Sequence, residues 1–222
     1  MSNVSKFAPN CQAPQDGVIK YQLGAMEPSD CHEFAGFKDL EAWRSQLYQL
    51  NLICQDSKGV GYGNLSMRGQ NQSFYITATQ TGHLPSLDIS DYPQVLSYSS
   101  SNHSLTVRGS KLPSSEAPTH SAIYALSDQI KTIFHIHSAM IWQTLLEAGH
   151  LATSADVEYG TPEMSREIAR IYAPIPEIFA HNVFVMAGHR DGIFAFGQNP
   201  DQAGLAILNI YNRLLRSHYN FK

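Results

Sequence analysis

Cysteine is scarce in this chain of 222 residues: there are three, at Cys11, Cys31 and Cys54. Three scattered thiols exclude a disulfide framework and a cysteine-rich zinc site, both of which need paired spacings. Charge is thin as well. Charged residues make up 15%, with 15 basic against 19 acidic and a formal net charge of −4. That balance offers no electrostatic footprint for nucleic acid. Such a low charge fraction also suits buried subunit interfaces. No run approaches the ~20 apolar residues of a membrane span, and the opening stretch MSNVSKFAPNCQAPQDG lacks the apolar core of a secretory signal. Together with the unpaired thiols, this predicts a cytoplasmic protein with no membrane or nucleic-acid partner. The sequence also contains no G-x-S-x-G, H-E-x-x-H, P-loop or C-x-x-C. Serine hydrolase, zincin, nucleotide kinase and thiol oxidoreductase chemistries lose their main support.

What is present is an apolar fraction of 43% and ten histidines. The length suits one domain with one core. Residues 1–35 are rich in Pro, Gly, Ser and Asn and read as an irregular arm with one short strand at 18–23. A helix is predicted over 37–54, because Leu40, Trp43, Leu47, Leu50 and Ile53 recur at three- and four-residue spacing. The loop SKGVGYGNLSMR follows it and leads into a strand from Leu65. A dinucleotide fingerprint needs the opposite order, strand then glycine loop then helix, so a Rossmann site is rejected. SFYITAT reads as a strand, and QVLSYSS and SLTVRGS as two more, joined in a meander at Ser101 and Asn102.

The period then changes. Ser114 or Ser115 caps a helix with Glu116 in its first turn and Ile123, Leu126 and Ile130 on its apolar side. IKTIFHIHS is a short apolar strand, and IWQTLLEAGH a short helix. Thr161 and Pro162 open another helix as cap and first residue. Two β-rich runs at 182–187 and 192–196 flank a Gly/Asp turn, and an amphipathic helix over 199–219 closes the chain. Strands interleaved with helices, several of them meander-linked, predict a mixed sheet covered by helices on both faces.

The sharpest chemical signal is His135-Ile136-His137. Strand side chains alternate, so both imidazoles share a face and can share a metal. The same pair also fits one surface and one hydrogen-bonded core histidine. A catalytic zinc needs three protein ligands and an open position. His189, at the end of a predicted strand between Gly188 and Gly192, offers the third, with His150 and His181 as loop competitors. His32, His103 and His218 read as surface. Glu116 and His120, four apart, share a helix face. Glu116 is either a first-turn carboxylate or a general base near a metal. The Ser114-Ser115 pair and the loop over 61–64 present hydroxyls and backbone N–H groups, which serve either plain capping or an anion.

In order, Gly63-Asn64-Leu65-Ser66-Met67-Arg68, the ITATQTG run over 76–82, Pro113-Ser114-Ser115-Glu116, His120, His135-Ile136-His137, Tyr159-Gly160-Thr161-Pro162-Glu163 and Gly188-His189 resemble the class II aldolase/adducin-type family. The resemblance covers roughly 37–211. It implies a three-layer α/β/α sandwich around a mixed, largely antiparallel sheet over 36–222, assembled as a homotetramer. It implies a divalent metal, commonly zinc, on His135, His137 and His189, with Glu116 as the catalytic carboxylate. Gly63, Asn64, Thr81, Gly82, Ser114 and Ser115 would grip a substrate phosphate, with Thr79 an alternative to Thr81. His120 and Tyr159 stand as a supporting residue or proton donor. The implied reaction is carbon–carbon cleavage or formation in a small ketose or sugar phosphate, through a metal-stabilised enediolate. Dehydration, decarboxylation or epimerisation on the same site, and a non-catalytic adducin-like interaction protein, are the alternatives.

Overall fold

The computed structural model describes residues 18–28 and 33–219. Its centre is an eight-stranded sheet. The strands are β1 (Gln22–Glu27), β4 (Asn64–Arg68), β5 (Phe74–Ile76), β6 (Gln94–Ser99), β7 (Ser104–Arg108), β8 (Thr132–His137), β9 (Val183–Val185) and β10 (Gly192–Gly197). They lie in the order β1-β7-β6-β5-β4-β8-β10-β9. The β1–β7 pair is parallel, while the other strand pairs are antiparallel. A separate two-stranded ribbon pairs β2 (Cys54–Gln55) with β3 (Gly61–Tyr62).

Period-two alternation sorts the sheet's side chains into two cores. One face sends Phe74, Ile76, Ile133, Phe194 and Phe196 against Ile123 and Tyr124 of α2 (Ala117–Tyr124) and Met164 and Ile168 of α4 (Pro162–Tyr172). The other sends Leu65, Met67, Phe134, Ile136, Ile193 and Ala195 against three helices. These are α1 (Phe37–Gln49), α3 (Ala139–Glu147) and α5 (Pro200–Tyr219). The result is the expected α/β/α sandwich. Local signals set the helix starts: Ser138 accepts from the Ile141 N–H at 3.3 Å to cap α3, and Thr161 accepts from the Met164 N–H at 3.3 Å ahead of Pro162.

Several boundaries differ from expectation. The short strand predicted at 18–23 forms instead at Gln22–Glu27, as an exposed edge of the main sheet. The rest of the predicted arm, residues 1–17 and 29–32, lies outside the described residues. α1 stops at Gln49, where Asn51 takes φ 56° and turns the chain. Leu52 and Ile53 are buried after the turn, which is why the apolar spacing ran on past the helix. α2 begins at Ala117 and ends at Tyr124, so Glu116 precedes the helix and Ile130 fills the core from the following turn.

One polar side chain in the core bears on the site. Arg44 of α1 is only 1% exposed. Its guanidinium donates to Thr81 O at 2.8 Å and Leu84 O at 2.9 Å, and Glu41, one helical turn earlier, accepts from the Leu87 N–H at 2.7 Å. α1 thereby pins the loop that carries Thr81 and Gly82. Arg44→Met is expected to cost roughly 3 kcal/mol in urea denaturation, because the buried Thr81 carbonyl and the partly buried Leu84 carbonyl lose a charged donor. A loss below about 1 kcal/mol would show that the loop holds without it.

Candidate active site

The β4–β8–β10 register builds the floor of the cleft. His135 lies across from Asn64 on one side and Phe194 on the other, and His137 lies across from Gly192. Ile136 between the two histidines enters the opposite core, so both imidazoles stand on the α2/α4 face. His189 arrives from the turn between β9 and β10, where its N–H donates to Met186 O at 3.2 Å and its carbonyl accepts from Gly192 N–H at 3.0 Å. One ligating nitrogen from each of the three rings falls within 4.8 Å of the others. His135 Nε2 and His137 Nε2 are 3.2 Å apart.

The protonation of this cluster follows from its neighbours. His135 Nδ1 lies 3.1 Å from Ile193 O, a group that only accepts, so Nδ1 carries the proton and Nε2 presents its lone pair. Burial holds His135 well below the ordinary imidazole range, against an upward pull from Glu116. Burial, then the proximity of His189, does the same for His137. Neutral imidazoles with converging lone pairs are the form in which histidine binds a divalent metal.

Glu116 closes one side. Its Oε2 accepts from the Thr119 hydroxyl at 2.7 Å, and its Oε1 stands 3.3 Å from His189 Nδ1 and 3.9 Å from His135 Nε2. Burial pushes this carboxyl up, but His189, His135 and the Thr119 hydroxyl outweigh burial and leave it below its ordinary range. Oε1 is buried without a well-formed hydrogen bond. A buried anionic oxygen beside three converging imidazoles is the environment that a divalent ion satisfies. The residues therefore fit the metal that the sequence implies.

A half-open cleft above this cluster is lined by Gly63, Asn64, Thr79, Thr81, Gly82, Ser114, Ser115, Glu116, His135, His137, Tyr159 and His189. The structure thus brings together the predicted ligands, carboxylate and anion-binding groups. His120 alone among the predicted residues is withdrawn from the lining; it lies beneath Asn64, with its Nε2 2.6 Å from Asn64 Oδ1. Tyr159 packs its ring 4.6 Å from that of His189 and carries Lys20 Nζ 3.8 Å from its own centroid. Two glycines are demanded by space. Gly63 sits at φ +78°, and a Cβ there would come within 2.7 Å of Ile53 and 3.2 Å of His135 O; one on Gly82 would meet Cys54 O at 2.2 Å.

Some donors are less available than the sequence suggests. The Ser114 N–H donates to Thr77 O at 3.1 Å, and its hydroxyl accepts from the Glu116 N–H at 3.3 Å. The Thr81 hydroxyl donates to Ala78 O at 2.8 Å. Of the competing histidines, His150 and His181 line a different groove beside α5. His103, expected on the surface, is partly buried and ties Tyr98 OH (2.8 Å) to Gly160 O (2.9 Å).

Three residues escaped the sequence reading. Tyr62 lines the cleft with its ring 5.1 Å from His137, and its place between Gly61 and Gly63 was the available signal. Gln80, at φ 61°, accepts from the Gly61 N–H at 3.2 Å and covers one backbone donor of the glycine loop. Arg44 gave no signal, since an arginine within a helical stripe reads as solvated.

Comparison with known proteins bears on the fold and the family. The family described as Class II Aldolase and Adducin N-terminal domain matches residues 55–213, a span holding every lining residue of the cleft. An L-fuculose 1-phosphate aldolase superposes with a TM-score of 0.60 at 22% identity, over 87% of this chain and 91% of its own. A sugar-phosphate aldolase from Thermotoga maritima gives 0.61 at 17% identity, over 83% and 95%. An L-fuculose-1-phosphate aldolase from Thermus thermophilus gives 0.51 at 18% identity, over 82% and 95%. At these identities the likeness carries the fold. Among curated proteins, none matches by sequence. With the sandwich, the three-histidine cleft and the matched span in agreement, the chain belongs to the class II aldolase and adducin family.

Proposed function

We propose that this protein is a divalent-metal-dependent lyase that cleaves or forms a carbon–carbon bond in a small ketose or sugar phosphate. The observation that carries this reading is the convergence of three imidazoles and one buried carboxylate at the floor of one polar cleft. His135, His137 and His189 hold the metal, and zinc is the ion that suits three imidazoles with a position left open. When bound, the ion supplies Lewis-acid polarisation of a substrate carbonyl and its neighbouring hydroxyl.

The chain's own groups do the rest. Glu116 takes the proton from the donor carbon and returns it, with Thr119 holding Oε2 so that Oε1 faces the cleft. Gly63, Asn64, Thr81, Gly82, Ser114 and Ser115 form the wall that seats the phosphate, which positions the reacting carbons from a distance. Among the described residues no lysine or arginine lines the cleft, so this wall binds through oriented neutral donors. Tyr159, against His189, is placed to give a proton to the acceptor's carbonyl oxygen as the carbon–carbon bond forms, and to take that proton back in cleavage. The reading extends to a cytoplasmic homotetramer built from residues 36–222, which the low charge fraction supports.

Elemental analysis of the purified protein is expected to find about one divalent transition metal per chain, falling towards zero in His135→Ala. No metal, and none taken up from stoichiometric zinc, would overturn the lyase reading in favour of a non-catalytic interaction protein. Glu116→Gln is expected to keep its metal and lose about 10²–10⁴-fold in turnover of ketose phosphates. Full turnover with metal bound would remove Glu116 from the proton transfer.

A further inference from the structure

His120 is buried completely, between α2 and β4, and makes two short contacts. Its Nδ1 lies 2.7 Å from Ser66 Oγ, and its Nε2 lies 2.6 Å from Asn64 Oδ1. Ser66 Oγ is in turn 2.8 Å from the Tyr124 hydroxyl. The four groups form a chain with matched spacing. Asn64 and Ser66 are two apart on one face of β4, and His120 and Tyr124 are four apart on one face of α2. Of the four, Asn64 alone reaches the cleft.

Such a chain can run in either direction, and its far end decides which. Tyr124 must place its hydroxyl proton. Lys131 O is 3.5 Å away, beyond a good O–H···O bond, while Ser66 Oγ is at 2.8 Å. Tyr124 therefore donates to Ser66, and Ser66 donates to His120 Nδ1. Burial lowers the pKa of His120 to about 3, so the ring is neutral and its remaining proton sits on Nε2. That proton goes to Asn64 Oδ1. The carboxamide oxygen is thus engaged below the cleft, and the Nδ2 group is the part left to face it. In the reverse direction Asn64 would point its oxygen into the cleft, an acceptor where an anion needs a donor.

We propose that His120 is a positioning residue that, with Ser66 and Tyr124 behind it, locks the Asn64 carboxamide with its Nδ2 donors towards the cleft, so that this wall selects an anionic group such as phosphate. The anion rests on the function proposed above; the direction of the chain does not. A buried histidine retained only to satisfy a polar core would be indifferent to which way the amide points.

Two measurements separate these questions. Nitrogen-15 NMR of the histidine-labelled full chain is expected to show His120 as the Nε2–H tautomer throughout pH 5–8. The Nδ1–H tautomer, or a ring that titrates in that range, would overturn the proposal whatever the cleft binds. The second is binding of inorganic phosphate to the zinc-loaded protein. His120→Phe is expected to weaken it about tenfold, the loss of one oriented hydrogen bond to a charged group. His120→Gln, which can still donate to Asn64 Oδ1, is expected to stay within about threefold of the wild type. Asn64→Ala is expected to match His120→Phe, and the double variant to lose no more than either alone. Full additivity, or wild-type phosphate affinity in a folded His120→Phe, would refute positioning through Asn64. A wild-type protein with the Nε2–H tautomer and no affinity for phosphate would leave the orientation standing and sink the phosphate reading instead.

Discussion

His135 occupies the one position in the sheet where three strands meet under the cleft: Asn64 of β4 faces it on one side and Phe194 of β10 on the other. Everything else in the site is placed relative to that pairing. A slip of one residue between β4 and β8 would turn His135 and His137 into the opposite core and bring Phe134 and Ile136 into the cleft. The register is held by the two cores themselves, because Phe134 and Ile136 bury against one set of helices while Ile133 packs among Phe194, Phe196 and α2 on the other side. The chemistry of the floor is therefore specified by packing on both faces of β8, and its precision is that of a central strand rather than a loop.

Such a site concentrates polar groups where burial is costly, and the protein meets that cost group by group. Glu116 is held by Thr119 and approached by His189, His135 donates to Ile193 O, and Asn64 is engaged by His120. These partners come from several elements, so the cluster also fastens α2 and the β9–β10 turn to the sheet. Arg44 extends the same logic to the opposite wall, since one buried guanidinium satisfies two carbonyls of a loop that has no strand or helix of its own at that point. Glycine supplies the remaining precision. At Gly63 and Gly82 a side chain would strike backbone atoms, so the loops close to the distance that the cleft requires.

The sandwich was legible in the sequence for physical reasons, and so was the shared face of His135 and His137. The His135-Ile136-His137 alternation survives any shift in strand ends, because side-chain direction depends only on parity. Thr161-Pro162 marks its helix start unambiguously. Boundaries fared worse where apolar residues serve two elements in succession: Leu50 and Ile53 continue a helical spacing although the chain turns at Asn51. Tertiary hydrogen bonds were beyond reach. No local pattern says that the Ser114 N–H is spent on Thr77 O, that Arg44 is buried beneath Thr81, or that His120 reaches across to Asn64. Each joins residues far apart along the chain, where spacing carries no information.

For the function proposed above, the lack of lysine or arginine among the described lining residues of the cleft has a consequence for selectivity. A wall of cationic side chains attracts any anion at a distance and adapts to its shape, because long side chains swing. A wall of hydroxyls, carboxamides and backbone groups exerts little force at range and rewards only an anion whose oxygens meet its donors in place. Orientation then matters more than charge, and the groups that fix orientation lie behind the lining rather than in it. In this protein they are Arg44 behind Thr81, and Ser66, His120 and Tyr124 behind Asn64. Their burial is what makes the wall rigid: a side chain with a satisfied partner and no solvent to exchange with has one low-energy direction. On the function proposed above, selectivity is accordingly written into the core of this protein as much as into its cleft.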